Sequence, residues 1–460
     1  MNPAALLAGL EGRVLRAGLV GAGEFGASFL YRARVLKSLA VPAVAERDAA
    51  RARAACLAAG LRADDFVLCD TRAAALAEIG AGRTAIVPDV ALLAELPLDV
   101  LVEATGDPET GARSASLAIA AGMDVAMVSK EAHSVIGPVL QRRARAAGRV
   151  CTPVDGDQPS LLAGLVTWAR ALGLEVVCGG KASEYDFVFD PARSTLAALG
   201  TEVVVPELAA LWSGPAAGTV ARVKARAALL AQFPHRTVPD LCELGIVANA
   251  TGLKPDAPRL HAPIARTLEL PELMRPEVGL LSRGGALELF NCYRRPDELS
   301  FAGGVFVVVA CDDAASWQVI GAKGVPVSAD GRHALLHNPV HLLGVEAPYT
   351  ILGAALLRRA STEERPVCDL VARAAQDLPA GTAFALGARH TLPGLEAELA
   401  DAAPLGEAGA LPFYMAAGRR LARAVPKGKL LCVADFDKPA DSVLWTLRAE
   451  QDAAFFGAGA

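Results

Sequence analysis

The chain has 460 residues, 53% of them hydrophobic and 21% charged, with a net charge of −5. That length suits two or three domains, because single cores seldom grow past roughly 250 to 300 residues. The composition excludes a disordered chain, and the charge forms no basic stripe of the kind that binding a nucleic-acid backbone needs.

The N-terminal stretch MNPAALLAGLEGRVLRAG lacks a basic segment followed by a cleavable apolar core. Every apolar run breaks short of the ~18 residues that a membrane span requires. No nucleic acid and no membrane is expected as a partner, and a cytoplasmic location is. The nine cysteines stand singly, without a C-x-x-C pair, and read as small buried residues of a reducing compartment.

From Val14 to about Val154, short apolar strands alternate with alanine-rich helical stretches, the βαβ pattern of a parallel sheet. RVLRAGLVGAG, SLAVPAVAE, LDVLVEATG and DVAMVSK are its predicted strands. GDQPSLLAGLVTWARALG reads as a helix and LEVVCGGK as a strand, and a less regular region then runs to about Pro296. FAGGVFVVVACDD is a continuous β-forming run that suits a strand covered on both faces. A helical segment is predicted near residues 341 to 360. In the last hundred residues, the segments at 372–384 and 422–437 echo each other as apolar stretch, Pro and Gly turn, and extended run.

The expected fold class is therefore α/β. It comprises an N-terminal Rossmann parallel sheet over 1–155, a central α/β catalytic domain over 156–330, a helical return segment over 331–364 and a small β-rich module over 365–460.

The strand VLRAGLV runs into G-A-G-E-F-G, with Gly21, Gly23 and Gly26 at the spacing of a dinucleotide-binding turn and Glu24 and Phe25 between them. The first glycine allows the tight turn, the second lets the backbone approach a pyrophosphate, and the third lets helix and strand pack closely. Glu46 follows about 20 residues later at a strand end, where a carboxylate accepts from ribose hydroxyls and favours NAD. Arg47 beside it is suited to a 2′-phosphate, so the cofactor reads as NADP or NAD. Thr105 and Gly106, at the end of LDVLVEATG, and Lys130 complete the expected cofactor set.

Lysine is scarce beside arginine, which draws attention to Lys181 and Lys254 at strand ends or beside glycines. A titratable amine does chemistry that a guanidinium cannot. Asp157 and Glu184 are the carboxylates placed with them for proton transfer or for a divalent metal. Ser282 and Arg283 in S-R-G-G form a candidate cradle for a phosphate or carboxylate, and Asn249 joins them as a substrate contact. His333, His337 and His341 would share a helical face as a metal stripe, except that Pro339 interrupts the helix. Cys292 is weighed as a nucleophile against a core-filling role.

Taken together, VGAGEFG, VEATGDPETGA, DGDQPSLLAGLVTWARALGLEVVCGGK, CELGIVANATGLKPD, RRPDELSFAGGVFVVV and NPVHLLGVEAPY resemble the homoserine-dehydrogenase-like oxidoreductases with a C-terminal SAF module. That group includes the type II 1-deoxy-D-xylulose 5-phosphate reductoisomerases. The resemblance implies a dimerising central domain and a homodimer, a SAF-like C-terminal module, NADPH with Mg²⁺ or Mn²⁺, and conversion of a phosphorylated ketose to a branched polyol phosphate for isoprenoid synthesis. It would place Lys181, Asp157 and Glu184 around the reacting carbinol and Arg283 on the anionic group. The D-P-x-x-D-L-x-G-x-D-x-x-x-K segment of homoserine dehydrogenases is missing, so homoserine is not the expected substrate. An NAD-dependent dehydrogenase of a small hydroxy or oxo acid and a non-catalytic dinucleotide sensor are the competing expectations.

Overall fold

The computed structural model describes residues 8, 12–437 and 439–457. Most of the stretch read above as neither leader nor span lies outside them. The chain divides into two compact units, one of Met1–Ser160, Leu342–Glu396 and Ala402–Ala460, the other of Leu161–His341 and Ala397–Asp401.

The first unit is built on seven strands: β1 (Leu15–Val20), β2 (Leu39–Ala45), β3 (Phe66–Leu68), β4 (Thr84–Val87), β5 (Val100–Glu103), β6 (Asp124–Met127) and β7 (Cys151–Pro153). They lie in the order β3-β4-β2-β1-β5-β6-β7, and every pair is parallel. The four-residue strands β4, β5 and β6 are buried throughout, because helices cover both faces of a parallel sheet. Strand order reverses at β1, the switch point at which open α/β sheets bind ligands. Register places Val20 opposite Ala45 and opposite Glu103, so the loops after β1, β2 and β5 open at one edge.

Two later pieces of chain belong to this unit. In the helix Ala347–Leu357, Ala347, Ile351 and Leu352 join the core around Phe25 and Phe29. The C-terminal module pairs its two echoing segments with each other, Leu378 bridging Val425 and Arg373 bridging Leu430. Its last helix, Val443–Phe456, is tied to the Rossmann helices. Ser442 donates to Glu109, Arg143 pairs with Glu450, and Gln451 donates to the Val135 carbonyl.

The second unit holds β8 (Val176–Ala182), β9 (Phe187–Asp190), β10 (Thr195–Ala198), β11 (Thr201–Val204), β12 (Lys254–Pro255), β13 (Ile264–Ala265), β14 (Ala286–Arg294), β15 (Val305–Ala310) and β16 (His333–Asn338). The main path is β11-β10-β9-β14-β8-β15-β16, with β12 and β13 beside β14. β8 is buried along its whole length between parallel β14 and antiparallel β15. Phe290, Phe301 and Phe306 pack edge to face on this sheet, each aromatic pair adding about 0.5–1.5 kcal/mol beyond its area.

Two expectations need correction. The region read as less regular up to Pro296 carries β9 to β14, several of them two to four residues long, too short to show a period. The 331–364 segment, expected to be helical, begins with strand β16, which extends the sheet beyond β15. The three histidines therefore share no helical face. His333 meets Arg275, His337 packs on Phe301, and His341 approaches Glu184. Among the described residues, no helix is long and apolar enough to cross a membrane.

Candidate functional site

The loops at the switch-point edge of the first unit enclose a cleft of about 540 Å³. Gly21 turns the chain at φ 94, and a Cβ there would come within 2.6 Å of the Ala104 carbonyl, so the turn and the β1–β5 contact both need glycine. Gly26 packs its helix on the turn, since a Cβ would lie 2.5 Å from the Gly21 oxygen. Gly23 caps the helix Glu24–Val35 with no side-chain bond, leaving the first helical N–H groups at the cleft. These features fit the pyrophosphate of a dinucleotide.

Glu46 turns back on the loop: its carboxylate accepts from Ala22 N at 3.0 Å and from Asp48 N at 3.2 Å. Arg47 and Arg51 line the cleft on the same side. On the other side of the switch point stand Thr105, Gly106, Lys130 and Asp157. The Gly106 N–H donates to the Ser129 hydroxyl at 2.7 Å, and Thr105 donates to Glu103 from its N at 3.1 Å and its Oγ1 at 2.6 Å. Burial pushes the Glu103 carboxyl up to about 7, against the opposing pull of the Ser129 and Thr105 bonds. The cleft thus gathers all the expected cofactor residues except Gly26, which packs behind it, together with Asp157. The lining residues that were not expected include Arg51, Ser129, Glu131 and His390. His390 comes from the far end of the chain, and nothing in its local sequence marks it.

In the second unit, Lys181 sits on β8 with its side chain 1% exposed. Its ammonium donates to Asp240 at 2.9 Å and to Glu243, and lies 3.8 Å from Glu184. Sequence reasoning missed Asp240 and Glu243. They lie three residues apart on the helix Val238–Thr251, whose residues 240–249 are all buried. Two carboxylates at that spacing in an otherwise apolar run demand a buried cation, and that was the available signal. Asp240 also closes the helix N-terminus, accepting from Thr237 Oγ1 at 2.6 Å. Glu184 is about half exposed and stands 3.7 Å from His341 Nδ1.

Of the remaining candidates, Lys254, Ser282 and Arg283 form a separate grouping. Lys254 pairs with Asp401 at 2.6 Å, both substantially exposed. Ser282 donates to Asp256 from its N and its hydroxyl. Arg283 turns its guanidinium to the Lys254 and Pro255 carbonyls. Asn249 is buried on the Val238–Thr251 helix. Asp157 belongs to the first unit, whereas Lys181, Glu184 and Arg283 belong to the second.

Among the described residues, no group of three or more His, Cys, Asp or Glu side chains has the arrangement of a metal site. The carboxylates around Lys181 already surround an ammonium, so the donor set does not fit a divalent cation. Cys292 is 1% exposed and burial pushes its thiol up to about 12, which leaves it protonated and unreactive at neutral pH.

Comparison with solved structures finds partial likenesses. An oxidoreductase from Agrobacterium radiobacter in complex with NAD+, L-tartaric acid and magnesium is 18% identical over 38% of this chain and 45% of that one, with a TM-score of 0.27. For myo-inositol dehydrogenase from Lactobacillus casei in complex with NAD(H) and myo-inositol, the figures are 14%, 38%, 47% and 0.28. For biliverdin reductase from Synechocystis sp. PCC 6803 in complex with biliverdin and NADP+, they are 18%, 38%, 48% and 0.23. The chain spans less than half the length of each. No curated protein matches it. Residues 156–347 match the family model described as the catalytic domain of oxidoreductase DRL, and that stretch carries Lys181, Glu184, Asp240, Glu243 and His341.

Proposed function

We propose that this chain is an NAD(P)-dependent oxidoreductase in which the first unit holds the dinucleotide and the second holds a small carbonyl or carbinol substrate at Lys181. The observation that carries this reading is the switch-point cleft with its glycine turn and open helix N-terminus. The match of residues 156–347 to an oxidoreductase catalytic domain supports it. The guanidinium groups of Arg47 and Arg51, beside a Glu46 engaged with its own loop, favour NADPH over NADH.

When bound, the nicotinamide supplies or accepts a hydride. Lys181 Nζ would supply the proton that the oxygen of a reduced carbonyl takes up to make O–H. Lys181 is left as a neutral amine. Asp240 and Glu243 orient the ammonium, and half-exposed Glu184 connects it to solvent for reprotonation.

A plain dehydrogenase of a small hydroxy or oxo acid needs nothing more, and it is our first reading. The reductoisomerase reading draws on the motif resemblance and the oxidoreductase DRL match. The Lys181 donor set does not favour it, since that reaction needs a divalent cation. The homodimer, the SAF-like character of the C-terminal module and a role in isoprenoid synthesis rest on the resemblance. The nine free cysteines suit a cytoplasmic location. A sensor has no use for a buried lysine between two carboxylates.

Nicotinamide fluorescence titration with NADH and NADPH comes first. Turnover is then measured on hydroxy and oxo acids and on 1-deoxyxylulose 5-phosphate, each with EDTA and with Mg²⁺. Turnover of an acid in EDTA supports the dehydrogenase. Metal-dependent NADPH oxidation with the phosphoketose alone establishes the reductoisomerase instead, and binding of neither dinucleotide overturns both readings.

A further inference from the structure

Among the described residues of the C-terminal module, His390 alone lines the dinucleotide cleft. Its loop is closed by Gly387 N donating to the Thr391 carbonyl at 2.8 Å and by Thr391 Oγ1 donating to the Ala388 carbonyl at 2.9 Å. Inside that loop, Arg389 and His390 sit at φ 51 and 54, in the left-handed region that costs side-chain-bearing residues energy. Such conformations persist where surrounding contacts over-determine them, and they cluster at functional sites.

The contacts here are specific. The imidazole lies directly over Gly106, and a Cβ at that position would collide with His390 Cε1. Nδ1 stands 3.1 Å from the Gly106 carbonyl and 3.1 Å from Glu131 Oε1. Both are acceptors, so Nδ1 carries the proton and Nε2 is the basic nitrogen. Burial lowers the imidazole pKa, the Gly106 bond opposes it and the charge of Lys130 adds to the lowering, which favours the neutral ring. Gly106 follows β5, across the switch point from Glu46, on the half of the sheet that holds the second mononucleotide of a dinucleotide.

We propose that the C-terminal module completes the nicotinamide end of the cleft, with His390 as a positioning residue whose Nε2 accepts from the carboxamide of the nicotinamide ring. The module is then part of the cofactor site, and the left-handed loop is what aims the ring. This inference rests on the dinucleotide reading above. It adds one donor–acceptor contact that ADP-ribose, lacking the carboxamide, does not make.

The test compares the full chain with its His390→Ala and His390→Gln variants, titrating NADPH by fluorescence and 2′-phospho-ADP-ribose by calorimetry. His390→Ala is expected to weaken NADPH about tenfold, the loss of one well-formed hydrogen bond. Binding of 2′-phospho-ADP-ribose should stay within about twofold, and Gln, with an acceptor at similar reach, should recover part of the NADPH affinity. Unchanged NADPH affinity in His390→Ala overturns the inference and leaves the dinucleotide reading intact. Equal weakening of both ligands also overturns it, because the loop then only supports the fold. Wild-type protein that binds neither NADPH nor NADH removes the dinucleotide reading, and the inference with it.

Discussion

Glu103 ends the β5 strand with no exposed surface, and burial raises its carboxyl from 4.5 to about 7. Desolvation is the largest cause. The Ser129 and Thr105 bonds pull the other way, and the charge of Glu131 adds to the rise. The folded state therefore holds this proton over a pH range in which the unfolded chain has released it, so stability falls as pH rises. The contribution is fully present below about 4.5 and is lost as pH passes 7. A shift of that size corresponds to about 3 kcal/mol at 1.36 kcal/mol per pH unit, a large fraction of a typical folding free energy.

Glu103→Gln removes the titration while keeping an acceptor for the Thr105 N–H. Urea denaturation of both proteins between pH 4.5 and 9 isolates this group in the difference of the two curves. The wild type should lose about 3 kcal/mol relative to the variant across that range, most of it before pH 8. Parallel curves would refute the reasoning, because they would mean that the carboxyl keeps an ordinary pKa despite its burial.

Three further outcomes follow from the same structure. Lys181→Met leaves Asp240 and Glu243 buried without their cation, which should cost about 3–5 kcal/mol in a melt or urea titration. Adding Glu243→Gln should restore part of that stability and none of the turnover. Gly21→Ala forces a side chain into φ 94 and against the Ala104 carbonyl, and should abolish dinucleotide binding in a fluorescence titration. Replacing Arg47 and Arg51 together by Ala should weaken NADPH at least tenfold with NADH affected less than about threefold, read as the ratio of the two dissociation constants.

The dinucleotide half was legible because its information is local. The turn G-A-G-E-F-G, its flanking strand and helix, and Glu46 all fall within one βαβ unit, where spacing in sequence is spacing in space. The short strands β3, β4 and β7 pass unnoticed, although the sheet is incomplete without them, because three or four residues carry little period; β5 and β6 are as short and stood out through the longer runs LDVLVEATG and DVAMVSK around them. Lys181 stood out by residue type, whereas its carboxylate partners did not. Asp240 and Glu243 lie 59 and 62 positions along the chain, and only packing brings them to the ammonium.

Composition, the βαβ rhythm and the glycine turn were enough, without coordinates, to establish an α/β chain with a switch-point cleft near its N-terminus. Tertiary structure decided how the charges are matched. It set Lys181 between two helix carboxylates and turned Lys254 to Asp401 and Ser282 to Asp256. It also carried His390 across 284 positions to lie over Gly106. The division has one physical cause. Backbone turns are settled by residues next to one another, whereas a buried charge is settled by whichever distant group folding brings within about 3 Å of it.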